Sequence, residues 1–187
     1  MIPYRKEKIE NAICYFATEH RKKSGNPLYQ TFLYKYLAFL DFESLQKRGR
    51  PSLCLTYIAL EKGPVPDEIY NRWSDFQSKI VDIRSDQEGR RYVVCKEKAD
   101  LSYFSKAEIA LMNNLIEIYA KSYIPSKLIS DASHERIAAW IKAYKKKPGS
   151  RIDYSLTFDE DLFNKPHEKL SFAEESYLTY KAIDDCN

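Results

Sequence analysis

A chain of 187 residues with 44% hydrophobic and 14% aromatic content can bury about 70% of the surface it exposes when unfolded. A disordered chain and a miniature fold dependent on metals or disulfides are therefore both excluded. Thirty Lys and Arg against 27 Asp and Glu give a net charge of +3, so basic character is local rather than global, and no apolar run approaches the roughly 20 residues that span a bilayer. Five glycines, where average usage would give about 13, leave little material for phosphate-cradling loops and favour helices.

The opening Met-Ile-Pro-Tyr-Arg-Lys-Glu-Lys has charge but no apolar stretch behind it and no small-residue cleavage site, so no secretory signal is expected and the predicted location is the cytoplasm. Between Arg5 and Lys23, Ile9, Ala12, Ile13, Phe16, Ala17 and His20 recur every three or four residues and predict one apolar helix face, ended by Ser24-Gly25-Asn26. Pro27 is read as opening a second, longer helix through Leu28, Phe32, Leu33, Tyr36, Leu37, Leu40, Phe42 and Leu45, stopped by Gly49 and Pro51. Being apolar on more than one face, it should lie centrally.

Leu53 to Leu60 is rich in strand formers, and Gly63-Pro64-Val65-Pro66 then interrupts regular structure, because proline lacks an amide donor and restricts the residue before it. A short helix is predicted from Asp67 to about Gln77. Ile80 to Arg84 and Arg91 to Cys95 flank a glycine-containing loop and predict a β-hairpin. Ser105-Lys106-Ala107-Glu108 is a capping box before the apolar run Ile109, Met112, Leu115, Ile116 and Tyr119. A turn of helix over Lys127 to Ser130, a break at Asp131-Ala132-Ser133, and a helix from His134 to about Tyr144 follow. Arg151 to Phe158 suggests a short strand, and Ser171-Phe172-Ala173-Glu174 a second capping box opening a final helix to about Asp184. The expected fold is mainly α (α+β): one compact helical domain over 1–187 with a small β-hairpin or short antiparallel sheet.

Cys14, Cys54, Cys95 and Cys186 are far apart, with no Cys-x-x-Cys and no His at a ligand spacing, so no metal and no cofactor is expected. The first three sit among apolar neighbours and read as reduced, buried thiols. The basic runs Arg21 to Lys23, Lys47 to Arg50 and Lys142 to Lys147 fall at predicted helix C-termini, where cations offset the macrodipole by about a few tenths of a kcal/mol. No nucleophile elbow, phosphate loop, dinucleotide fingerprint or His-Glu-x-x-His is present. Asp131, His134 and Glu135 form the one close titratable group with a histidine. Acid–base work there is weighed against a simpler reading in which Asp131 or Ser133 caps a helix. Tyrosines interleaved with lysines, as in Tyr34-Lys35-Tyr36, read more simply as amphipathic core-edge residues than as a base-stacking platform.

Three segments together resemble the SocA-like Panacea antitoxin domain. They are Tyr34 to Phe42, Leu55 to Pro66, and Ser130 to Glu135 with Trp140, in order and spacing across about residues 5–145, leaving a strand and helix extension over 146–187. Asp41, Tyr57, Gly63, Pro64, Val65, Pro66, Ser133, His134, Glu135 and Trp140 carry the likeness, with Ser133 standing where Thr is commoner. The resemblance implies a non-enzymatic antitoxin that neutralises a cognate toxin by direct binding. In some relatives the domain serves as an adaptor presenting the toxin to an ATP-dependent protease, and the domain also occurs in phage and mobile-element proteins. The alternative is a nucleic-acid-binding regulator associated with a mobile element. For Gly63 to Pro66, a rigid binding loop and a structural corner remain open, as do core residue and interface anchor for Trp140.

Overall fold

Every residue of the second helix from Phe32 to Leu45 is buried, and the rest of the chain is arranged around that rod. The computed structural model describes residues 4–71, 78–121 and 124–183. In chain order these form α1 (Arg5–Ser24), β1 (Leu28–Tyr29), α2 (Gln30–Arg48), β2 (Tyr57–Leu60), β3 (Gly63–Pro66), α3 (Asp67–Tyr70), β4 (Val81–Ser85), β5 (Arg91–Cys95), α4 (Lys106–Tyr119), α5 (Ser126–Arg136), α6 (Ala138–Lys146) and α7 (Phe172–Ile183). Short 3-10 turns occupy much of the stretch between α6 and α7. The mainly helical fold with small antiparallel sheets is as the composition led us to expect.

Helix α2 packs against α1, α4, α5 and α7 and against strands β1 and β3. Stacked rings mark two of those seams: Phe16 of α1 lies 4.8 Å from Tyr36, and Tyr119 of α4 lies 5.4 Å from Phe39. Gly49 ends α2 at φ +70°, and a Cβ there would collide with the Ala173 carbonyl of α7. The capping box of α4 is formed in full by Ser105 and Glu108, and Glu108 also accepts from Lys8 Nζ at 2.8 Å and Ser52 Oγ at 2.5 Å. Burial pushes the Glu108 carboxyl up, but these donors outweigh it and carry its pKa down to about 2. Ser171 and Glu174 make the corresponding pair of bonds at α7.

The predicted hairpin is present as β4 and β5, in register Val81↔Cys95 to Ser85↔Arg91, with β1 added on the far edge of β5. That addition corrects the expectation that Pro27 opens a helix: Leu28 and Tyr29 pair with Val93 and Tyr92, and α2 starts at Gln30. A second sheet pairs β2 with β3 through a two-residue turn. Residues 149–152 run along the free edge of β2, with Ala59 N–H donating to Ser150 O and Ile152 N–H to Tyr57 O, each at 2.8 Å. The strand expected over Arg151 to Phe158 is thus a single bridge, after which a 3-10 turn takes Tyr154–Thr157.

Two further boundaries move. Asp131 and Ser133 do not cap a helix; both lie inside α5, and the break falls at Ile137. Their side chains can be accommodated mid-helix because Asp131 is exposed and Ser133 Oγ bonds back to the Ser130 carbonyl at 2.7 Å. The helix expected from Asp67 is described only as α3, and residues 72–77 and 184–187 lie outside the described residues, as does Cys186. Cys54 is disulfide-bonded, and Cys95 is free but only partly buried, so the reading of reduced, buried thiols holds in full for Cys14 alone. Nothing in the spacing of the cysteines signalled that pairing. Among the described residues no helix is long and apolar enough to cross a membrane.

Candidate functional site

The ten residues singled out in the sequence fall into two groups, one around Asp41 of α2 and one on β3 and the helices that cover it. The first surrounds Asp41, whose side chain is fully buried. Residues 53–55 curl about its carboxylate, with Cys54 at φ +54°. The Leu53 N–H donates to Oδ1 at 2.5 Å, Leu55 N–H to Oδ2 at 3.2 Å and Tyr57 OH to Oδ2 at 3.0 Å. Tyr154 OH lies 3.2 Å from Oδ2 and 2.7 Å from Leu55 O. Burial raises the Asp41 pKa against the pull of these donors, and it raises the Tyr57 and Tyr154 hydroxyls well above their usual range. With its lone pairs met inside the fold, Asp41 is a staple joining α2, β2 and the 3-10 turn after α6.

The second group gathers on β3, which lies against α2 and α5. Ala59 directs its backbone groups to residues 149 and 150, and Tyr57 directs its carbonyl to Ile152. In an antiparallel pair, opposed residues point their backbone groups the same way relative to the ladder, inward or outward. Pro64, opposite Ala59, and Pro66, opposite Tyr57, therefore turn theirs away from β2 and towards the covering helices. Any other residue would place an amide N–H there, buried without a strand to receive it; proline removes the donor. The carbonyl remains, and Lys35 Nζ of α2 donates to Pro64 O at 3.2 Å.

Gly63 begins β3 at φ +103°. A Cβ at that position would stand 2.5 Å from Lys35 Nζ and 2.6 Å from Ser133 Oγ, so the glycine is required both by its backbone angle and by the close approach of α2 and α5. Lys35 and Ser133 are 1% and 0% exposed, and burial pushes the Lys35 amine down to about 7. Beside them His134 stacks on Trp140 at 4.1 Å, and Trp140 on Tyr144 at 5.1 Å. Trp140 Nε1 donates to Leu60 O at 3.0 Å, and the His134 ring meets the Lys62 backbone. Trp140 is thus a buried core residue clamping α6 to the hairpin.

The structure does not assemble Asp131, His134 and Glu135 into a reacting group. Asp131 and Glu135 are exposed on α5, while His134 turns inward with Nε2 buried and without a hydrogen-bond partner. Burial lowers the His134 pKa, the Lys35 charge lowers it further, and Asp131 opposes both. A near-neutral amine next to a serine hydroxyl has the chemistry of a base and a nucleophile. Here both are sealed beneath the hairpin, and the cavities of about 440 and 640 Å³ described on the surface are lined by other residues.

Lys35 entered the sequence reading only within Tyr34-Lys35-Tyr36, expected at the core edge and here fully inside; Glu43 and Arg136 were not singled out. Glu43, buried in α2, accepts from Arg136 of α5, which also donates to Tyr119 OH at 2.9 Å and lies over the Phe39 ring. The available signal was a charged residue in the middle of a helix apolar on several faces: such a charge must find a buried partner. A family model described as antitoxin SocA-like, Panacea domain, matches residues 33–153, well over half of the chain. No curated protein and no solved structure matches it.

Proposed function

Because the chain belongs to the family of SocA-like antitoxins with a Panacea domain, we propose that it is an antitoxin that neutralises a cognate toxin by direct binding and performs no catalysis. The observation that carries this reading is the fate of the signature residues. Gly63, Pro64, Ser133 and Trp140 are consumed in packing a hairpin against α2, α5 and α6, which suits a rigid platform better than a reaction centre. The exposed side chains around that platform are those of Glu61 and Lys62 at the hairpin tip and Asp131 and Glu135 on α5. The His134 ring bonds the Lys62 backbone, which brings the hairpin tip to α5, and we assign these four side chains as the toxin-contacting edge. The buried cluster running from Ile9 to Tyr177 supports treating the chain as one domain.

Co-expression with the product of the neighbouring reading frame tests the proposal. A stable complex burying about 1,600 Å², with relief of growth arrest, is expected. Charge reversal of Lys62 and Glu135 together should weaken it at least tenfold without changing the melting temperature. Failure to obtain either a complex or relief would overturn the reading. Faster loss of the toxin in cells with an ATP-dependent protease, dependent on this chain, would add the adaptor role.

A further inference from the structure

Cys14 and Cys95 come from positions 81 residues apart and meet where α1 packs on β5. Cys14 and Thr18 lie one turn apart on the same face of α1, and both reach Cys95 at the end of β5. Cys95 Sγ donates to the Cys14 carbonyl at 3.1 Å, while Cys14 Sγ donates to Glu97 O at 3.2 Å. Both thiols are free. Cys14 is wholly buried, and Cys95 is partly open to solvent.

We propose that Cys14 and Cys95 are a reversible dithiol site, in which Cys95 reacts first with a peroxide and Cys14 resolves it to a disulfide that ties α1 to the β1–β5–β4 sheet. Two asymmetries support that order. Cys95 is the residue of the pair that is partly open to solvent. Hydrogen bonding to Cys95 and burial raise the Cys14 thiol, and hydrogen bonding from Cys14 lowers Cys95, which makes Cys95 the more acidic thiol of the two.

The Cys95 thiolate attacks one oxygen of hydrogen peroxide, the O–O bond breaks, and hydroxide leaves a sulfenic acid on Cys95. The Cys14 sulfur, giving up its proton, then attacks the Cys95 sulfur; the S–O bond breaks and water leaves as the S–S bond forms. The two thiols lose two protons and two electrons in all, and peroxide is reduced to two waters.

The test treats the full, folded chain with hydrogen peroxide and maps disulfides by non-reducing peptide mass spectrometry, which separates this pair from the disulfide at Cys54. A Cys14–Cys95 peptide that disappears on reduction is expected, with a higher urea midpoint for the oxidised protein. In Cys14→Ser, Cys95 should stop at a sulfenic acid that dimedone traps. In Cys95→Ser, Cys14 should react at least tenfold more slowly than Cys95 does in the wild type. Absence of the cross-linked peptide from folded wild type would overturn the proposal, as would equal reactivity of Cys14 and Cys95 in the two variants.

Discussion

Replacing Lys35 with Met removes a buried amine while keeping an unbranched side chain as far as the Cε position. Burial lowers the Lys35 pKa from 10.5 to about 7, and at 1.36 kcal/mol per unit this is about 5 kcal/mol of stability lost by the wild type when the amine is charged. The sign follows from the direction of the shift. Between about pH 7 and 10.5 the unfolded chain holds a proton that the folded chain has released, so wild-type stability rises with pH across that window. Below about pH 7 both states are charged and the full cost is present. Met abolishes the cost but leaves Pro64 O without its donor, a loss of roughly 1–3 kcal/mol. Lys35→Met should therefore stabilise the protein by about 2–4 kcal/mol at pH 6.5, and the advantage should vanish or reverse by pH 10. Urea unfolding of both proteins at four or five pH values measures this, because the titration of other groups largely cancels in the difference. A difference that stays flat from pH 6.5 to 10 would refute the assignment of a desolvated amine. The same variant should raise the His134 pKa, followed by its ring proton shifts, since the Lys35 charge depresses it.

Gly63→Ala must accept φ +103° and a Cβ 2.5 Å from Lys35 Nζ, and should lose about 3 kcal/mol. Gly25→Ala, at φ +76° with open space around it, should lose only about 1 kcal/mol in the same urea titration. Asp41→Asn presents an amide where several donors converge and should cost about 3 kcal/mol, whereas Tyr57→Phe should cost about 1 kcal/mol. His20, whose pKa burial lowers to about 4 from 6.5, stabilises the fold when neutral. Its contribution, about 3 kcal/mol, is lost as pH falls from 6.5 to 4, and His20→Gln should flatten that part of the acid unfolding curve. Glu108, held at about 2, acts in the lower window from 4.5 to 2, so Glu108→Gln should alter the curve there and leave the His20 portion intact.

How far the sequence reveals this fold depends on whether a signal is local. Both capping boxes, the β4–β5 hairpin and the central position of α2 could be read directly, because side-chain spacing and turn chemistry act within a few residues. The start of α2 and the break at Ile137 were misplaced because tertiary contacts decide them: β5 captures Leu28 and Tyr29 before the helix can begin. The arrangement of the candidate residues was not legible in the sequence. Tyr57 and Pro66 are neighbours by register, yet Tyr57 serves Asp41 while Gly63 and Pro64 serve Lys35 and Ser133. No spacing shows that division, since it arises from contacts to two different positions of α2, Asp41 and Lys35. The disulfide at Cys54 and the pairing of Cys14 with Cys95 were invisible for the same reason.

A hairpin edge laid against helices carries outward-facing amides that no strand can receive, together with carbonyls that still need donors. Pro64 and Pro66 at the two outward register positions eliminate the amides, and Gly63 lets the helices come close enough for a side chain to reach the remaining carbonyl. Only a long donor from the middle of α2 spans that distance, and Lys35 is placed there. The charge it brings is costly for the reason worked above, but it is the consequence of burying β3 at all. Removing Lys35 should therefore raise stability while loosening the hairpin: in Lys35→Met the amide protons of Leu60 to Gly63 should exchange at least tenfold faster with solvent at pH 7, relative to global unfolding. If the variant is more stable and the hairpin is equally protected, Lys35 is a relic of burial and not the element that positions the rim of Glu61 and Lys62.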